Sequence, residues 1–148
     1  MSNIARTNEL HAYLRQCLPV AGSQSDRFSQ LTACLLMEQA VLSLLAEVTG
    51  QVMSDAETLA GFVESVRNQR NNWLVERLCR ELYQSDHWLN ELRLARQQLL
   101  LRSSGSSDHN KSQLITTVGS VEAEDPVVNW VRGFEQLLTE VREFNQEY

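Results

Sequence analysis

Proline, glycine and lysine are scarce. The 148-residue chain has two Pro, six Gly and a single Lys, Lys111, against twelve Arg. So little Pro and Gly excludes a collagen-like repeat and Pro-rich disorder. Cysteine is equally thin: Cys17, Cys34 and Cys79 are widely spaced, with no Cys-x-x-Cys pair. That removes a zinc site and a thioredoxin-like redox motif. It leaves three small buried hydrophobes in a reducing, cytoplasmic compartment as the expectation. A long apolar run is also missing. The greasiest stretch, Leu31 to Ala46, is broken by Glu38 and Gln39 and falls short of the ~20 residues of a bilayer span. The first residues contain no signal-peptide core, so no membrane association is expected. Positive charge is in deficit, with a net charge of −6 and a pI near 5.0, which argues against a dedicated nucleic-acid binder. No GxGxxG, Walker A, HExxH, GxSxG or EF-hand pattern occurs, and no internal repeat.

What remains is helical periodicity. One helix is predicted from about Asn3 to Leu18, ended by Pro19 and Gly22. A second runs from Ser25 to Thr49 with Gly50 as its stop. Its apolar positions, Phe28, Leu31, Cys34, Leu35, Met37, Val41, Leu42, Leu44, Leu45 and Val48, cover more than one stripe. Such a helix is either central, or has one face taken by a partner chain. A capping box, Ser54 to Glu57, opens a third. The fourth spans Asn72 to Tyr83. Ser85 begins a capping signal for the fifth, with Asp86 in the first turn, running to Arg102. Residues 103–113, rich in Ser, read as a flexible linker. Leu114 to Val118 form a short extended segment that docks on the bundle or pairs with its copy in a second chain. The last helix has Asp125 at the N-cap and Pro126 at its first position, where a missing N–H costs nothing. The expected fold is all-α: one domain over residues 1–148, a bundle of five to six helices, with the second helix most buried and the first and last against it.

Few residues suggest chemistry. A di-iron bundle needs Glu-x-x-His pairs, and none of His11, His87 or His109 follows a Glu at that spacing. The pairs Arg6–His11 and Arg80–His87 loosely match the Arg/His signature of HEPN-type helical ribonucleases, in which His moves protons and Arg stabilises phosphorane charge. Arg6 and His11 are poorly placed to share a helical face, and the second pair straddles a helix boundary, so solvated surface charge is the expectation for both. Arg67, Arg70, Arg77, Arg80, Arg93, Arg96 and Arg102 crowd the middle of the chain, with Glu76–Arg80 a favourable i, i+4 pair. They read as salt-bridged faces, or as a patch for an acidic partner or phosphate group. The last 27 residues carry a charge of −5, so the final helix can lie against them. Glu38, mid-helix, is expected on a polar strip with Gln39 and Gln30, or paired with an Arg from another helix. Trp73, Trp88 and Trp130 are expected as core residues with the indole N–H reaching water or a carbonyl, or as the lining of a ligand pocket.

Arg6-Thr7-Asn8, the second helix ending in Gly50, Trp88-Leu89-x-x-Leu92, Leu114-Ile115-x-x-Val118 and the stretch from Trp130 through Arg142-Glu143 to Tyr148 resemble a group of uncharacterised proteobacterial, pseudomonad-type proteins. The resemblance implies a bacterial, cytoplasmic, stand-alone domain. It carries over no catalytic, cofactor-binding or metal residue. The reading is a non-enzymatic helical protein acting through protein contacts as a homodimer. The alternatives are a ribonuclease-like or nucleic-acid-associated protein and a small-ligand-binding bundle.

Overall fold

The computed structural model describes residues 3–20, 23–50, 58–59, 61, 73–102 and 125–146. Five helices follow one another: α1 (Asn3–Gln16), α2 (Arg27–Thr49), α3 (Trp73–Glu81), α4 (Trp88–Arg102) and α5 (Pro126–Gln146). Among the described residues there is no strand, and the fold is all-α. The Ser54–Glu57 box, the 103–113 linker and the 114–118 segment lie outside the described residues. Near the box, Leu59 and Gly61 are helical and Thr58 is not. The Thr58 hydroxyl accepts the Gly61 N–H at 3.0 Å, an N-cap bond.

The helix limits have visible causes. Asp26, extended at φ −82° and ψ 175°, caps α2 by accepting the Ser29 N–H at 2.7 Å. Gly50 ends it with φ 73°, a left-handed geometry that a side chain resists, while its N–H reaches the Ala46 carbonyl. Asp125 caps α5, its carboxylate taking the Val127 N–H at 2.9 Å ahead of Pro126. The same carboxylate accepts the Ser25 N–H at 2.6 Å and the Ser25 hydroxyl at 2.7 Å, which fastens the start of α5 to the approach to α2.

The link between α3 and α4 departs from expectation. Ser85 and Asp86 belong to the turn, and His87 is the N-cap of α4. Its backbone carbonyl accepts the Glu91 N–H at 3.0 Å, and its Nδ1 accepts the Leu89 N–H at 3.2 Å. Asp86 is the one described non-glycine residue at positive φ, 67°. That twist delays the helix by two residues. An imidazole nitrogen then does the work expected of a serine oxygen.

The core lies along α2. From Ala40 to Ala46 every residue is buried, so every side of the helix is covered. α1 covers one side through Leu14 and Thr7, the latter hydrogen-bonded to Ser43 at 2.8 Å. α5 covers another through Val127, Trp130, Val131, Phe134, Leu137 and Val141. Leu74, Val75 and Leu78 of α3 and Leu89, Leu92 and Ala95 of α4 complete the cluster. Each large aliphatic side chain buried there contributes roughly 1.5–3 kcal/mol. The girth of α2 is therefore that of a central helix, and its apolar circumference is used within the chain from Ala40 to Ala46, while Phe28 and Leu35 nearer its start are exposed. By length and composition alone α2 could cross a bilayer.

Charges tie the outer helices together. Arg142 of α5 reaches Glu47 of α2 at 3.3 Å and Asn8 of α1 at 3.3 Å. Arg77 of α3 pairs with Glu81 one turn on and with Glu140 of α5. The i, i+4 pair on α3 is thus Arg77–Glu81 rather than Glu76–Arg80. The acidic last helix does lie against an Arg-bearing one.

Candidate functional site

A cavity of about 250 Å³ opens between α2, the Thr58–Leu59 segment, the end of α3 and one face of α4. Leu59, Leu82 and Leu92 supply apolar wall, Tyr83 an aromatic one, and Glu38, Arg93, Arg96, Gln97 and Thr58 the polar groups. The α4 contribution comes from positions 92, 93, 96 and 97, neighbours on a single helical face.

Glu38 is 6% exposed, too deep for the polar strip expected of it. One carboxylate oxygen accepts Arg96 Nε at 2.9 Å and the other accepts the Leu59 N–H at 3.2 Å. Both oxygens are satisfied, which is the condition for keeping a carboxylate in such a place. The partner helix is the alternative weighed for Glu38. The strip fails because α4 covers α2 at that level.

Arg93 is fixed differently. Its Nε donates to the Leu82 carbonyl at 3.1 Å, which also accepts Asn90 Nδ2 at 3.1 Å. That carbonyl, just past the last turn of α3, has no helical donor of its own. A cation placed there is favoured by the helix dipole as well. The Arg93 guanidinium stacks on Tyr83, 4.6 Å from the ring centroid. Behind the pair, Cys34 donates weakly to the Leu92 carbonyl at 3.8 Å. Its thiol is pushed up to about 12, first by burial and then by the Glu38 charge, so it is no nucleophile.

The histidines that suggested nuclease chemistry sit elsewhere. His11 bonds Glu135 of α5 at 2.7 Å and lies beside the Phe134 ring. Arg15 shares the same Glu135 oxygen. Burial pushes the Glu135 carboxyl up, but the His11 and Arg15 contacts outweigh it and hold it below the usual carboxylate range. Arg6 instead donates to Gln39 of α2 at 3.5 Å, so Arg6 and His11 serve different helices. His87 caps α4 and sets its Nε2 3.4 Å from Glu81. Both histidines are three-quarters or more covered and hold structure, which replaces the expected solvated charge. Among the described residues, no three His, Cys, Asp or Glu side chains gather to hold a metal.

The tryptophans line no part of the cavity. Trp73 packs on Phe144 with ring centroids 4.9 Å apart, and Trp88 packs on Gly133. Trp130 is buried, but its Nε1 finds no partner among the described residues, contrary to the expected bond.

Fold and site together define an all-α bundle with a cavity whose floor is a hydrogen-bonded Glu–Arg pair. The chain belongs to DUF6586, a family of unknown function whose model spans residues 1–148. No curated protein and no solved structure matches it.

Proposed function

We propose that this protein is a small-ligand-binding helical bundle that acts without covalent chemistry, in a bacterial cytoplasm. The observation that carries the reading is the cavity itself. Its apolar walls and few convergent polar groups between helices are the make-up of small-molecule sites. Among the described lining residues, the one carboxylate is already committed. Glu38 is hydrogen-bonded to a guanidinium and a backbone N–H, and the nearby thiol is protonated. The three free thiols are in keeping with a reducing compartment. The test is a titration of the whole chain with a panel of charged and neutral one-ring compounds, followed by amide chemical shifts. Saturable shifts at Leu59, Leu92 and Gln97 are expected. A panel that moves none of them refutes the reading.

A second reading is kept for a separate observation. Phe28 is 77% exposed and Leu35 40%, seven residues apart on the same side of α2. An exposed apolar pair of that kind is what a two-fold contact with a second copy would cover, and it is the observation that favours a homodimer acting through protein contacts. Sedimentation of the wild type and a Phe28→Ser, Leu35→Ser variant decides it. A concentration-independent monomer mass for the wild type refutes the dimer.

A further inference from the structure

We infer that the cavity between α2, α3 and α4 takes a small monocarboxylate with an apolar body of about one ring; this deepens the ligand-binding reading and rests on it. The donors show why. Each guanidinium has five N–H groups, one on Nε and four on its terminal nitrogens. Arg96 gives Nε to Glu38, and Arg93 gives Nε to the Leu82 carbonyl. Among the described residues, the terminal nitrogens of both have no hydrogen-bond partner. Both arginines line the cavity. Two forks are thus anchored at the Nε end, one of them further stacked on Tyr83, with their remaining donors uncommitted. An anchored guanidinium has already lost much of the freedom that ligand binding would otherwise take from it.

Charge narrows the class. Arg93 and Arg96 are three residues apart on one helix, where like charges repel. Among the described lining residues, the one carboxylate, Glu38, offsets one of the two guanidinium groups and leaves one positive charge unmatched. A monoanion balances it. A dianion overshoots, and the net charge of −6 on the whole chain further opposes it. A planar carboxylate also matches the fork with two parallel N–H···O bonds. The walls narrow it further. Leu59, Leu82, Leu92 and the ring face of Tyr83 offer nothing to a fully hydrated anion and favour an apolar body. A cavity of roughly 150 Å³ holds a benzene ring. The 250 Å³ here leaves room for a ring and its carboxylate.

The experiment titrates the full chain with benzoate, phenylacetate, benzamide and inorganic phosphate, following the backbone amides and the Arg93 and Arg96 Nε–H signals. The two carboxylates are expected to shift Leu59, Leu92, Gln97 and both arginine signals, and to bind at least tenfold more tightly than benzamide or phosphate. Arg93→Gln should weaken benzoate tenfold or more and leave benzamide within twofold. Gln97→Glu, at an exposed rim position where folding is insensitive, should do the same by engaging Arg93 from one turn away. Arg27→Gln, at the start of α2, should change neither. Benzamide binding as tightly as benzoate, or benzoate indifferent to both Arg93→Gln and Gln97→Glu, overturns the carboxylate assignment and leaves the cavity reading standing. Phosphate matching benzoate overturns the apolar body. No shift at the cavity with any probe overturns both readings.

Discussion

Gly133 lies in the middle of α5, where glycine is a poor helix former. Replacing it with Ala should raise helix propensity by about 0.8–1 kcal/mol. The packing forbids a simple gain. A Cβ built at position 133 would stand 2.6 Å from three atoms of the Trp88 indole. Carbon atoms prefer about 3.5–4 Å, so the ring or the helices must move by about 1 Å. Overpacking of this kind costs about 1–3 kcal/mol. The expected outcome of Gly133→Ala is therefore a loss of about 1 kcal/mol despite the better helix former. For a chain of this size that lowers Tm by roughly 2–4 °C. The Trp88→Ala background removes the obstacle, and there Gly133→Ala should stabilise by about 0.8–1 kcal/mol. The assay is urea denaturation read by far-ultraviolet circular dichroism on the four members of the cycle, with equal m-values required. A coupling energy near zero, with Gly133→Ala stabilising both backgrounds alike, refutes the claim that the close approach of α5 to Trp88 dictates glycine.

Three further outcomes follow from the same geometry. Leu42 is fully buried in the helix that the others surround, so Leu42→Ala should cost about 2–5 kcal/mol in the same denaturation assay. Arg96→Met strands the Glu38 carboxylate and should cost about 3–5 kcal/mol; adding Glu38→Leu should recover most of that loss, and an additive loss would count against the pairing. The depressed Glu135 carboxyl contributes stability that is present above its ordinary value of 4.5 and is lost as pH falls through its lower folded value. Melting curves of Glu135→Gln should therefore lie closest to wild type in acid and diverge above pH 4.5.

How much of this was legible depends on how local the cause is. The start of α5 could be read because Asp125 and Pro126 act on their own turn. The end of α2 could be read because Gly50 supplies its own left-handed twist. The centrality of α2 followed from apolar residues on all its sides. The start of α4 was misread by two residues, because Asp86 adopts positive φ and hands the cap to His87. Neither the twist nor an imidazole as cap acceptor has a strong sequence signature. The Glu38 pair was legible only as the second of two alternatives, for a different reason. Its partner is 58 residues away on α4, and only the packing of α4 across α2 brings Arg96 to it.

The cavity was hidden behind a similar ambiguity, and its key residue is Arg93. Counted along the chain, Arg93 is one of many arginines and reads only as part of a salt-bridged face or of a broad patch for an acidic partner or phosphate group. What separates it is the end of α3. A helix leaves carbonyls without donors at its last turn. Here the turn to α4 is so short that the next helix runs back past those carbonyls. Asn90 and Arg93, three residues apart on α4, both close on the Leu82 carbonyl. Satisfying that backbone oxygen fixes Arg93 by its Nε and turns its remaining donors to another use. Arg96, one further step along the same face, is fixed by its Nε in turn, to the carboxylate that α2 brings there. Two structural needs, a helix end and a buried carboxylate, thus place two guanidinium groups at one cavity. The sequence holds the raw signal, Leu92-Arg93-x-x-Arg96-Gln97 on one face of a helix that follows another by a tight turn. It becomes legible only when the helix end before it is asked where its carbonyl finds a donor.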